Sequence, residues 1–107
     1  MYIHKRYEWD ERKNRLNQRK HDGIRFELGA QVFDDPDCLI VPDRIDEAGE
    51  QRWHAMGAVL LDPGAALVLI VVHVYRENCD GEESIRILSA RRAGKDDVRR
   101  YKEQALD

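Results

Sequence analysis

Apolar and polar positions change period along the chain, from helical to alternating near Leu39 and back to helical near Asp96. Asp10 is suited to cap a helix, and the stretch from it through Lys20 holds no Gly or Pro. Leu16 is the one apolar side chain inside that stretch, so the expected helix lies on the surface, anchored by Trp9, and ends at Asp22-Gly23. A second helix is expected over Arg25 to Phe33, where Phe26, Ala30 and Phe33 share one face, with Asp34-Asp35-Pro36-Asp37 stopping it. Gln51 to Leu61 alternates: Trp53, Ala55 and Gly57 fall on one side, and Glu50, Arg52, His54 and Met56 on the other. Asp62-Pro63-Gly64 then turns the chain into Ala65 to Arg76, whose nearly unbroken apolar run predicts a central strand covered on both faces. Another turn, from Asn78 to Gly81, leads to a third strand from Ser84 to Ala90. A last helix fits Asp96 to Ala105, with Val98, Tyr101 and Ala105 in one stripe. Tyr2 to Trp9 offers a further short strand.

The expected architecture is an α+β domain with two N-terminal helices, a three- or four-stranded antiparallel sheet and a C-terminal helix, the helices packing on one sheet face. With 107 residues, 42% of them hydrophobic, the chain fits a single domain over 1–107. Cys38 and Cys79 are too few for a disulfide framework and are read as reduced thiols. The sequence opens without an apolar leader, and its longest apolar run, Ala65 to Val72 and Val74, is about half of the roughly 20 residues a membrane helix needs. These features give the expectation of a soluble, cytoplasmic protein without membrane contact.

A net charge of -3 argues at first against a polyanionic partner. Split by segment, the same number reads differently. Residues 1–25 carry eight basic groups against four acidic ones, residues 26–51 carry eight acidic groups against Arg44 alone, and residues 84–102 carry seven basic groups against Asp96 and Asp97. Most of the basic groups are arginines, whose planar forks grip phosphate oxygens in pairs. Lys13 and Lys20 of the first basic run and Arg99 and Arg100 of the last are candidate RNA-binding groups, with His21 beside Lys20. The same runs also suit solvated helix faces.

One strand face gathers groups suited to RNA cleavage without a metal ion. Glu50, Arg52 and His54 project together, and Arg76 and Arg86 converge on them if register permits. Cleavage requires a base for the 2′-OH, cations for the pentacoordinate phosphorus and an acid for the departing 5′-oxygen. Glu50 or His54 suits the base, Arg76, Arg86, Arg91 and Arg92 suit the phosphate, and His54 or His73 suits the acid. Each group also has a structural reading: Glu50 and Arg52 as an exposed strand pair, His73 as a hydrogen-bonded core histidine, His21 as a helix cap. The histidines at 4, 21, 54 and 73 lack metal-ligand spacing, so neither a metal site nor a cofactor is expected. Nothing in the sequence resembles a Gly-rich phosphate loop or a nucleophile elbow.

Several segments together resemble the BrnT toxins of type II toxin–antitoxin modules. They are Glu8-Trp9-Asp10-Glu11-x-Lys13-x-x-x-Asn17-x-x-Lys20-His21, Phe26-Glu27, Val32-Phe33-x-Asp35-Pro36, Gly49-Glu50-x-Arg52-Trp53 with Gly57, Val71-Val72-His73-x-x-Arg76, the run from Ile85 to Ala93, and Arg100-Tyr101. The resemblance implies a RelE-like fold and a ribonuclease that arrests growth by cutting RNA, with or without the ribosome. It also implies a BrnA-like antitoxin that neutralises the toxin, contacts operator DNA on behalf of the complex and assembles with it as a heterotetramer. Phe26, Phe33 and the acidic stretch from Asp34 to Glu47 form one candidate partner surface, and the Tyr101 helix another. Departing from the family pattern, Asp22 separates His21 from Gly23. A non-catalytic corepressor within a DNA-bound complex is the competing class.

Overall fold

The computed structural model describes residues 6–61, 64–77 and 79–105. Residues 2–5 of the expected first strand, Asp62 and Pro63 of the hairpin turn, Asn78 and His4 lie outside them. In chain order the elements are β1 (Arg6–Glu8), α1 (Glu11–Lys20), α2 (Phe26–Ala30), a 3-10 turn (Gln31–Asp34), β2 (Leu39–Ile45), β3 (Gln51–Leu60), β4 (Ala66–Glu77), β5 (Glu83–Arg92) and α3 (Lys95–Ala105). Among the described residues the strands form one mixed sheet in the order β1-β5-β4-β3-β2, with β1 parallel to β5 and the other pairs antiparallel. The further strand offered by Tyr2 to Trp9 is present as β1, though parallel to its neighbour, and β2 enlarges the expected antiparallel sheet at the other edge. β2 gives no alternating signal because all of it but Leu39 is exposed.

Asp10 caps α1 as expected, its carboxylate accepting from Arg12 N at 2.8 Å and Lys13 N at 3.4 Å. These two amide bonds hold the Asp10 carboxyl below the usual carboxylate range. The buried stripe of α1 is not apolar, however: Leu16 points to solvent, and Asn14 and Asn17 face the core. Asn14 accepts from Phe26 N at 2.9 Å and donates to Glu27 at 2.9 Å, tying α1 to the start of α2. Asn17 accepts from Ala90 N at 3.1 Å and donates to Ala90 O at 2.8 Å and Ile24 O at 2.9 Å. One side-chain amide thus completes the outer ladder of β5 where β1 has ended. Trp9 is the expected anchor, packing edge-on against Phe26 at 6.1 Å.

The second expected helix is shorter than Arg25 to Phe33. It is α-helical for five residues and then tightens into the 3-10 turn, whose Val32 O would lie 2.9 Å from any Cβ at Gly57 of β3. Phe26 and Phe33 are buried in the main core with Ile24, Val32, Ala55, Val59, Leu69, Val71, Ile87 and Ala90, so they form no partner surface. The central strand β4 is covered on both faces, as its sequence predicts. Its second face holds Ile70 beside Met56, and Tyr101 of α3 packs over both. The helices therefore do not share a face: α1 and α2 cover one, and α3 crosses to the other. In β5, Val72 pairs with Ser89 and His73 with Ile87, so Leu88 is an extra, bulged residue.

Candidate functional site

The face under α3 is only half covered, and its open half carries the polar groups. Across it the register aligns Val41, His54, Val72 and Ser89 in one row, from β2 to β5. Glu8, Arg86 and Val74 form another. Arg52, His54, Arg76 and Arg86 thus share a face as the alternation predicts, but their partners are not the expected ones. Glu50 does not pair with Arg52. It pairs with Arg76 at 3.3 Å, whereas Arg52 meets Asp46 at 3.4 Å and Arg86 approaches Glu8 at 3.8 Å. Asp46 also accepts from the amides of Glu50 and Ala48, each at 3.0 Å, which keeps its carboxyl below the usual range despite some burial.

His54 is held by Asp43, its Nε2 lying 3.1 Å from Oδ2. It stands at the wall of a pocket floored by Leu39, Val41, Met56 and Ile70 and closed on the far side by Asp97 and Arg100 of α3. The pocket unites His54 with Arg100, two candidates that the sequence placed in different elements. Arg100 is paired with Asp97 at 3.2 Å. The helix that carries them is tied down by Tyr101, whose hydroxyl donates to Asp35, and by Gln104, which donates to Asp37 O at 2.8 Å. Burial pushes the Asp35 carboxyl up, but bonds from Ala58 N, the Tyr101 hydroxyl and Asp37 N outweigh it and hold the group low. Burial and the same Asp35 contact raise the Tyr101 hydroxyl well above its ordinary value.

His73 does not belong to this face. It is fully buried on the opposite one, with Phe33 edge-on at 4.9 Å and Tyr75 at 5.0 Å. Its Nδ1 lies 3.4 Å from Val71 O, and among the described residues Nε2 has no hydrogen-bond partner. Burial lowers its pKa to about 4, so it is a neutral core histidine and not an acid for this site. Arg91 stands on the open face, paired in register with Ile70, whereas Arg92 alternates to the helix side beside Leu69.

A second polar groove runs between α1 and β5, lined by Lys13, Leu16, Asn17, Lys20, His21, Leu88 and Ser89. It gathers three of the candidate RNA-binding groups and meets the His54 row at Ser89. Arg99 is exposed on α3 and lines neither site. The sequence pattern gave no sign of Asp43, Asp46, Glu8 and Asp97 as partners of the basic groups. The Asn14-x-x-Asn17 pair also escaped it, although their helical spacing was an available signal. Among the described residues no three His, Cys, Asp or Glu side chains cluster as metal ligands, and no helix is long and apolar enough to cross a membrane. A family model described as the ribonuclease toxin BrnT of type II toxin–antitoxin systems matches residues 9–97. No curated protein matches the chain.

Proposed function

Because the chain belongs to the BrnT family of type II toxin–antitoxin ribonuclease toxins, we propose that it cuts RNA on the open sheet face with His54 moving the proton. The carrying observation is His54 itself, held by Asp43 at 3.1 Å and facing Arg100 across a pocket with an apolar floor. With Nε2–H donated to Asp43, Nδ1 is the acceptor that takes the proton from the 2′-OH. The freed oxygen attacks the adjacent phosphorus. A cyclic phosphate forms as the bond from phosphorus to the 5′-oxygen breaks, and that oxygen leaves with the proton that His54 took up. Arg52, Arg76, Arg86, Arg91 and Arg100 oppose the charge that builds on phosphorus, and none of these steps requires a metal ion or other cofactor. Lys13, Lys20 and His21 hold the flanking backbone in the second groove; Arg92 and Arg99 supply long-range attraction only.

The family brings an antitoxin partner with it. The partner is BrnA-like, carries the operator-binding domain and closes a heterotetramer with the toxin; the free toxin works in the cytoplasm by lowering translation. A corepressor without catalysis is favoured by one observation, that the guanidiniums of Arg52, Arg76, Arg86 and Arg100 each have a carboxylate partner. Purified protein with a labelled RNA in EDTA decides between the two readings. The parent is expected to cleave, His54→Ala to lose about 10²–10⁴-fold in rate, and Asp43→Asn to fall between them. An inert parent, or His54→Ala cutting at the parental rate, overturns the reading.

A further inference from the structure

The two edges of the sheet are treated differently. On the β5 side the edge is the three-residue β1, which pairs Ser84–Arg86, and beyond it the Asn17 amide bonds Ala90, so little strand edge is offered there. On the other side β2 has no neighbour among the described residues, and it displays Ile40 at 41% exposure, Val41 at 36% and Ile45 at 65%. An open strand edge with apolar side chains is a template for a further strand. The charge around it restricts what that strand is. From Asp34 through Glu50 the chain carries seven carboxylates and the single cation Arg44. Asp34 and Asp37 stand exposed before β2, and Glu47 just after it. A second copy of this chain would set these same acidic flanks against each other. Pro42 and the register break between Pro42 and Ile45 keep any strand added to β2 short. A short extended segment with basic residues flanking alternate apolar ones fits both the edge and the charge.

The position of the edge supplies the consequence. Val41 is paired with His54, and Asp43 holds the His54 ring. A strand added outside β2 would lie about 4.8 Å from it and about 10 Å from β3, so its side chains on the open face would wall off the His54 pocket. We propose that the antitoxin adds a short basic strand to the outer edge of β2 and thereby closes the pocket. The inference rests on the toxin–antitoxin reading and goes beyond it by naming the surface and the chemistry of the segment that occupies it.

Amide exchange of the full-length protein, alone and with the purified product of the adjacent reading frame, tests it. Amides within 39–45 are expected to slow at least tenfold on complex formation. Ile40→Lys and Ile45→Lys, both at exposed positions, should weaken the complex at least tenfold, and Asp37→Lys with Glu47→Lys should do likewise and remove its salt sensitivity. A complex that forms with unchanged exchange in β2 and unchanged affinity in these variants overturns the inference and leaves the toxin–antitoxin reading standing. Protection of β2 that appears without the partner and grows with protein concentration assigns the edge to a second copy and also overturns it. Failure of any complex to form sinks the inference together with the partner reading.

Discussion

Acidification should destabilise the protein through His73 before the carboxylates of Asp10, Glu27, Asp35 and Asp46 respond. The native imidazole has its pKa lowered to about 4 by burial, against 6.5 for the free group. Between those values the unfolded chain binds a proton that the native state refuses, so stability is intact above about pH 6.5 and declines as pH falls toward 4. Each unit is worth about 1.4 kcal/mol, which gives roughly 3 kcal/mol over the window and a Tm lower by more than about 10 °C for a chain of this size. The magnitude follows from the surroundings: Phe33 and Tyr75 meet the ring edge-on, and Nε2 has no partner among the described residues to share a proton. Asp10, Glu27, Asp35 and Asp46 are all held below their ordinary values, so their contributions are lost at lower pH and leave the upper window to His73. Urea denaturation at intervals from pH 7.5 to 5, on the parent and on His73→Phe, measures the effect. The variant should match the parent within about 1.5 kcal/mol at pH 7.5 and show a much shallower decline. A parent whose stability is flat across the window, or a variant with the parental slope, refutes the account.

Replacing Asn17 with Ala removes three hydrogen bonds and strands the Ala90 N–H and two carbonyls in the interior. At about 1–3 kcal/mol for each unsatisfied group with partial relaxation, the urea midpoint should report a loss of about 3–5 kcal/mol. Gly57→Ala sets a methyl group 2.9 Å from Val32 O and 3.0 Å from its Cγ1, and overpacking of that kind should cost about 1–3 kcal/mol by thermal melting. Lys13→Ala with Lys20→Ala should leave stability unchanged, both side chains being exposed. The same pair should flatten the dependence of RNA affinity on salt, by a slope of about 0.7 for each phosphate that is no longer neutralised.

The helix start at Asp10, the β3–β4 hairpin, the doubly covered strand β4, the C-terminal helix and the shared face of Arg52 and His54 were all legible, because each rests on local period or a capping residue. The pairing of the charges was not legible. Which carboxylate meets which guanidinium depends on the register break after Pro42 and on the bulge at Leu88, and neither leaves a trace in the alternation. The side that α3 takes was hidden for a related reason. It is fixed by long-range bonds, Ala93 N to Val68 O at 2.9 Å and the Tyr101 hydroxyl to Asp35, the latter 66 residues away in sequence. On α1 the thin apolar pattern marked a surface helix anchored by Trp9 but not the amides that dock it. A helix that docks by completing a strand's ladder needs amides on its inner face, so Leu16 was free to face the groove.

That Arg52, Arg76 and Arg86 each have a carboxylate beside them does not disqualify the face from holding phosphate. The Arg76–Glu50 pair is exposed, and such pairs are worth about 0–1 kcal/mol, so a phosphate that brings full charge and two acceptor oxygens displaces Glu50 at small cost. Glu50 separates the possibilities, since it is both the partner of Arg76 and a carboxylate placed where a base would be useful. If its role is to occupy Arg76 between substrates, Glu50→Gln frees a guanidinium and moves the net charge from -3 to -2. RNA should then bind more tightly, with a salt dependence steeper by about 0.7, and cleavage at saturating RNA should stay within about threefold of the parent. If Glu50 takes the 2′-OH proton, the same variant keeps its affinity and loses about 10²-fold or more in rate. We expect the first outcome, because His54 faces a pocket and Glu50 faces a cation. The second would transfer the base to Glu50 and leave Asp43 and His54 as a structural pair.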